Sequence, residues 1–411
     1  MKDYTKKNIK FLKPSATLAI NEKSKELILK GKKVYKFGFG QSPFPVPEGV
    51  VSALKKNAHK KEYMPIQGSL ELREAIAKYI NKRTNNSFTS ENIIVSPGSK
   101  EMMFLLQLSF DGDILLPAPS WVSYEPHAII GGNKLHWLET SRENNWFPTP
   151  EAIEKKTKDL KNKNIILILN SPNNPSGSSC KNFEGIAKVA KKYGIIILSD
   201  EIYTELNFDR EYRSVSQYYP DGTIISSGLS KWCGAGGWRL GFFAIPKKLN
   251  SVLKTLKTLS SESFTAVSSP IQLAAVEAFQ GNYSDYLNKT TAILDAVGNY
   301  VYDNLKSNKV LIQKPEGGFY LMPEFLIKKF STSEEMCSVI LKETGVALLP
   351  GSDFGFLKEQ LIARLSFTDF DGEKFMNNLN KNKKIDINLI SKFAPKIVEG
   401  TKKLKTWSES A

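Results

Sequence analysis

A chain of 411 residues, 41% hydrophobic and 24% charged, is long enough for a large core and for more than one folding unit, and it has no run of 18 apolar residues. Its net charge of +15 comes almost entirely from lysine, since only seven of the 57 basic residues are arginine. The lysines are scattered, with no arginine-rich arm or basic stripe interleaved with aromatics, which argues for a solvated surface and against nucleic-acid or membrane partners.

The opening stretch "MKDYTKKNIKFLKPSATLAI" is basic, but its apolar "TLAI" is too short for a secretion signal, so a cytoplasmic protein is expected. Residues 1–45 read as an arm followed by the turn-rich "FGFGQSPFP". From about residue 90 to 245, short runs apolar throughout alternate with helical patterns: "NIIVSPGS", "DILLPAPSW", "NKLHWLE", "NIILILNSP", "GIIILSDEIY", "GTIISSGLSK" and "LGFFAIP". Such runs suit a mostly parallel seven-stranded sheet covered on both faces, and "KNFEGIAKVAKKYG" has the amphipathic spacing and terminal glycine of a crossover helix. The reading is a doubly wound α/β unit over residues 46–307, closed by one long helix from about 270 to 307. Beyond it, "PEGGFYLMPEF", "GVALLPGSDFG" and "LIARLSF" predict short strands of a smaller α+β unit, 308–411, to which the N-terminal segment returns. The Lys- and Asn-rich tail from about 373 predicts a helical stretch without chemistry.

Three dispersed cysteines, Cys180, Cys233 and Cys337, give neither a disulfide framework nor a metal spacing. His59, His127 and His136 are equally isolated and read as surface or packing residues, so no metal site and no Ser-His-Asp hydrolase is expected. Chemistry is concentrated elsewhere. In an open parallel sheet the carboxyl ends of the strands lie along one edge, where ligands bind. Here those ends carry "SPGSK", "SW", "SPNNPSG", "DEIY" and Lys231.

Taken together they supply a lysine, an aspartate, an asparagine, a tyrosine, a tryptophan and a turn with free amides and hydroxyls. A lysine amine forms a Schiff base with an aldehyde and, once released, carries protons. A carboxylate against a heteroaromatic nitrogen makes the ring an electron sink. Tyr and Asn suit a phenolic oxygen, an indole suits a ring face, and hydroxyls, helix-start amides and an arginine suit a phosphate.

On these residues the chain resembles fold-type I pyridoxal phosphate (PLP) enzymes, and in particular the class I/II aminotransferases of the aspartate aminotransferase family, from "KPSATLAINEKSKEL" to "ARLSF". "NSPNNPSG" is similar to the family's Asn-Pro-Thr-Gly element, "SDEIY" to its Asp-x-x-Tyr element, and "SKWCGAGGWRLG" to its Lys element with Arg eight residues later. The resemblance implies PLP as cofactor and exchange of an amino group between an L-amino acid and a 2-oxo acid. It implies that Lys231 forms the Schiff base and moves the proton, that Asp200 holds the pyridine nitrogen, and that Tyr203 and Asn174 hold the ring oxygen. Trp121 would stack on the ring, while Gly98, Ser99, Lys100 and Arg239 would receive the phosphate. Arg364, Gly40 and Asn174 would bind the substrate carboxylate. Tyr63, in "EYMPIQGS", would reach the phosphate of a neighbouring subunit, which implies a homodimer with shared sites.

Departures from the family pattern are also present. "GQSPFP" stands where many members have Gly-Glu-Pro-Asp-Phe-Pro, and Gly228, three residues before the lysine, offers no phosphate hydroxyl. "SSESFTAVSSP" has Phe264 and no arginine in a stretch that helps set side-chain specificity, leaving Lys100 or Lys13 for a distal carboxylate. Two rival readings stand beside transamination: a PLP-dependent carbon-sulfur β-lyase or other lyase on the same scaffold, and a non-catalytic PLP-fold binding module. "GAGGWR" only superficially matches a dinucleotide fingerprint, because its sixth position is arginine.

Overall fold

The computed structural model of the chain describes residues 4–10, 12, 14, 16–161, 164–379 and 384–411. The seven apolar runs form strands β1 (Ile93–Ser96), β2 (Asp113–Ala118), β3 (Lys134–Glu139), β4 (Ile165–Asn170), β5 (Ile196–Asp200), β6 (Thr223–Gly228) and β7 (Gly241–Ala244). They make one sheet in the order β1-β7-β6-β5-β4-β2-β3, in which β7 runs antiparallel to both of its neighbours.

Alternation along the strands explains why the runs are apolar throughout. Ile166 and Ile168 of β4, with Ile114, Leu116, Leu198 and Phe243, enter a core shared with Met102, Leu106 and Leu256 from helices Ser99–Ser109 and Asn250–Ser263. Their neighbours Leu167 and Leu169 point the other way, onto Ile153, Ile186 and Ala190 of helices Pro150–Asp159 and Phe183–Tyr193. Each residue of a central strand thus leaves water, which stabilises at roughly 25 cal/mol per Å² of apolar area removed. The crossover helix Phe183–Tyr193 is bounded as its sequence indicates: the Asn182 side chain accepts from Gly185 N at 2.8 Å, and Gly194 ends it at φ 67°.

The C-terminal strands are short. β8 (Val310–Leu311) pairs with β10 (Glu324–Phe325), while β9 (Tyr320–Leu321), β11 (Leu349–Pro350) and β12 (Ala363–Ser366) form a sheet ordered β11-β12-β9. The N-terminal segment returns here: Tyr35 bridges to Val346, and Ser366 N donates to Phe37 O at 2.6 Å.

Two expectations need correction. The helix expected over 270–307 is two helices, Ser269–Gln280 and Ser284–Leu305. Gly281 closes the first, and the Asn282 carboxamide oxygen accepts from both the backbone N (3.1 Å) and the hydroxyl (2.8 Å) of Ser284, capping the second. The described residues of the tail hold three helices, Gly372–Asn377, Ile387–Phe393 and Pro395–Ser410, the last burying Ile397, Leu404 and Trp407. No helix among the described residues is long and apolar enough to cross a membrane.

Candidate active site

Register puts Asn170, Asp200 and Ser226 side by side at the carboxyl edge of β4, β5 and β6. Above that edge lies a cavity of about 500 Å³. Its lining includes Lys231, Asp200, Tyr203, Asn174, Trp121, Ser99, Lys100, Arg239, Gly40 and Arg364. Five strand ends and two distant segments therefore bring ten of the expected residues to one place. Gly98 adjoins the cavity through Arg239, whereas Tyr63 is 91% exposed on this chain and away from it. Lys13 lies outside the described residues. Phe264 packs against the apolar cores and does not line the cavity, while Thr17 does.

The base of the cavity holds the acid. Asp200 is 4% exposed, and burial raises its carboxyl to about 6 against hydrogen bonds from Tyr124 and the Ile202 amide and the charge of Lys231. Tyr124 Oη donates to Asp200 Oδ2 at 2.6 Å, and Ile202 N donates to Oδ1 at 3.3 Å. Asn170 Nδ2 donates to the Asp200 carbonyl at 2.8 Å, and its Oδ1 accepts Asn174 N at 2.7 Å. The same short network thus fixes Asp200 and Asn174 together.

The lysine sits between charges of both signs. Burial lowers the Lys231 amine to about 8; Arg364 and Arg239 push the same way, and Asp200 opposes them. Its Nζ donates to the Gly40 carbonyl at 3.0 Å and lies 5.6 Å from the Tyr203 ring centroid and 5.5 Å from that of Phe319. An amine lowered this far is partly neutral near pH 8, as a nucleophile and proton carrier requires.

Arg364 is 1% exposed. Its Nη1 donates to Asn174 Oδ1 at 3.1 Å and its Nη2 to Gly38 O at 2.7 Å, while its Nε is buried with no hydrogen-bond partner among the described residues. The guanidinium carbon lies 4.7 Å from the Tyr320 ring centroid and 5.1 Å from that of Phe354. A buried cation held by two oxygens of neutral groups, with a donor left over, is chemically suited to a carboxylate.

The opposite end suits a dianion. Gly98, at φ 87°, precedes the helix Ser99–Ser109, whose first amides have no intrahelical partner. A Cβ on Gly98 would stand 2.1 Å from Arg239 Nη2, so only glycine lets the guanidinium approach this helix start. Arg239 itself, at φ 56°, donates through Nη1 to Gly236 O at 2.8 Å. Lys100 Nζ lies 5.4 Å over the Trp121 ring; partial burial and nearby Arg239 lower its pKa.

Gly228 acquires a steric reason. A Cβ there would meet Leu240 O at 2.6 Å and Gly241 Cα at 2.8 Å, because β6 and β7 pair closely at this point. A hydroxyl is instead present two residues on, at Ser230, which lines the cavity. Gly228→Ser is accordingly expected to lower stability by about 1–3 kcal/mol through overpacking, without tightening PLP binding. Thermal melting and a PLP titration check this; an unchanged melting midpoint with tighter binding would contradict it.

Sequence reasoning missed Tyr124, Asn170, Ser230 and Tyr320. Ser230 was legible as the neighbour of Lys231, and Asn170 as the last residue of a strand. Tyr124 and Tyr320 gave no local signal, since each acts through residues far away in the chain.

A sheet-edge cavity with a depressed lysine amine, a buried aspartate, a helix start beside an arginine, and a buried arginine defines a fold-type I PLP enzyme. The chain belongs to the class I and II aminotransferases: the family model for "Aminotransferase class I and II" matches residues 32–375. The aspartate aminotransferase of Thermotoga maritima is 33% identical over 363 residues, covering 86% of this chain and 92% of the relative. A probable N-acetyl-LL-diaminopimelate aminotransferase of Bacillus subtilis is 33% identical over 354 residues, covering 84% and 87%. Among solved structures, the aspartate aminotransferase from Thermus thermophilus with maleate is 26% identical at a TM-score of 0.85, covering 98% of this chain and 100% of that one. The protein is a PLP-dependent aminotransferase. These relatives do not favour the lyase or binding-module readings.

Proposed function

We propose that the cavity binds PLP with its aldehyde end at Lys231, its ring nitrogen at Asp200 and its phosphate at Ser99, Ser230 and Arg239, and that Arg364 binds the α-carboxylate of an L-amino acid or 2-oxo acid. When bound, PLP supplies a carbonyl for Schiff-base chemistry and a ring that absorbs the electron pair left at the substrate Cα. The chain's own residues do the rest. Asp200, an anion above about pH 6, holds the ring-nitrogen proton, and Tyr203 with Asn174 faces the ring oxygen. Trp121 covers a ring face. Arg364 and Gly40 orient the substrate so that its Cα proton lies within reach of Lys231 Nζ, which takes that proton and holds it for redelivery. The observation that carries this reading is Lys231, lowered to about 8, in one cavity with Asp200 and Arg364.

Lys100 supplies a cation for a distal carboxylate, and the relatives named aspartate aminotransferases support an acidic donor. A homodimer with shared sites is supported by the rim of the cavity: Arg239 and Lys100 are exposed on a single chain, as is Tyr63. The cytoplasm is the compartment we assign, supported by three free, buried cysteines. The division at residues 45 and 307 is supported by the placement of β1–β7 between those points and of β8–β12 beyond them.

A panel of amino donors tests the reading. Conversion of bound PLP to pyridoxamine phosphate, followed by absorbance, is expected with aspartate or glutamate and to be reversed by the matching 2-oxo acid. Release of pyruvate and ammonia from cystathionine without any 2-oxo acid would instead establish the lyase.

A further inference from the structure

Tyr320 was not among the expected site residues, yet it touches both ends of the reacting centre. Its hydroxyl lies 3.0 Å from that of Tyr203, and its ring centroid is 4.7 Å from the Arg364 guanidinium carbon. It is buried, and the fit around its hydroxyl is tight: a Cβ on Gly40 would stand 1.9 Å from Tyr320 Oη. The carbonyl of that same Gly40 accepts the Lys231 amine.

A phenol carries one proton. If Tyr203 spends its proton on the ring oxygen of PLP, the hydrogen bond between the two hydroxyls must be donated by Tyr320. A hydroxyl that accepts a hydrogen bond is polarised into a stronger donor, the more so in a buried site. The ring of Tyr320 meanwhile packs on the Arg364 guanidinium, as does that of Phe354. One side chain therefore supports the groups at the cofactor oxygen and at the substrate carboxylate.

We propose that Tyr320 is a positioning residue that donates a hydrogen bond from its hydroxyl to that of Tyr203, fixing the direction and strength of Tyr203 as a donor, and presents its ring face to Arg364. This rests on the placement of Tyr203 and Arg364 given under Proposed function. A weaker donor at the ring oxygen leaves more negative charge there, which holds the neighbouring proton of the Lys231–cofactor linkage more tightly.

The test titrates the visible absorption of the PLP-loaded enzyme against pH in wild type, Tyr320→Phe, Tyr203→Phe and the double variant. Tyr320→Phe is expected to raise the midpoint by roughly 0.3–1 pH unit, Tyr203→Phe by more, and the double variant no further than Tyr203→Phe alone. The KM for the amino donor is expected to stay within about twofold in Tyr320→Phe, which keeps the ring, and to rise about tenfold in Tyr320→Leu, which removes it. A wild-type midpoint in Tyr320→Phe, or a full additional shift in the double variant, overturns the proposal. The hydroxyl arm decides it even if Tyr320→Leu does not fold. Should Lys231→Ala keep the same titrating band as wild type, the site assignment itself fails, an outcome distinct from either behaviour of Tyr320→Phe.

Discussion

Lys231→Ala is expected to lose at least about 10⁴-fold in turnover while folding normally, because the variant lacks the amine proposed as both nucleophile and proton carrier. The expectation follows from position as much as from residue type. Burial and two arginines lower the Lys231 amine to about 8, and among the described residues its Nζ makes a single hydrogen bond, 3.0 Å to Gly40 O. Removing that bond costs little stability, so the melting midpoint is expected to stay within a few degrees of wild type. The depressed amine adds a pH signature. A lysine whose charged form is disfavoured is neutral above its lowered pKa, so the rate at which unliganded wild-type enzyme captures PLP is expected to rise through about pH 8 and level off above it. Lys100, exposed at the rim beside Arg239, is the competing amine. A Lys231→Ala enzyme that keeps more than about a hundredth of its turnover would transfer the role away from Lys231.

Arg364→Leu is expected to reduce kcat/KM for amino acid donors by about 10²–10⁴-fold, the loss of two charge-assisted hydrogen bonds at about 1.5–3 kcal/mol each. The same change should leave the reaction with a primary amine that lacks a carboxylate nearly unaltered. That contrast separates carboxylate recognition from a structural ion pair. In the present structure Arg364 rests on Asn174 Oδ1 and Gly38 O, with Nε unpartnered among the described residues, so a leucine would also strand two oxygens that now accept hydrogen bonds. Arg364→Lys keeps the charge but loses the fork and the planar group that packs on Tyr320 and Phe354, and is expected to recover only part of the loss. Equal losses with and without the carboxylate would refute the assignment.

Much of the fold was legible because burial on both faces imposes a composition. All seven apolar runs became strands of the central sheet, and the glycine after "KKY" ended its helix as expected. Boundaries set by a few side chains were harder to read. The break at Gly281 and Asn282 lies within an otherwise unbroken apolar pattern, and the helix Pro395–Ser410, which buries one face, lies in a tail that reads as polar. Periodicity averages over a window and does not register a cap made by one asparagine.

The site divides along the same line. Lys231, Asp200, Asn174, Tyr203 and Trp121 were readable because each ends or follows a strand, and strand order brings such ends to one edge. Arg239 could be found from its spacing to the lysine, and Gly98 from its place at a helix start. What the sequence alone determined is therefore most of the side chains that line the cavity and the sheet that gathers them, since both depend on local pattern. The tertiary structure decided the rest. Why Gly228 must be glycine depends on how closely β7 approaches β6, and Ser230 supplies a hydroxyl that Gly228 does not. The charge state of Asp200 depends on burial and on the opposing hydrogen bond from Tyr124, 76 residues away, and the setting of Tyr203 and Arg364 depends on Tyr320, 117 residues beyond Tyr203. Hydrogen bonds and desolvation act through space at about 3 Å, and no pattern along the chain encodes which distant residue will stand there.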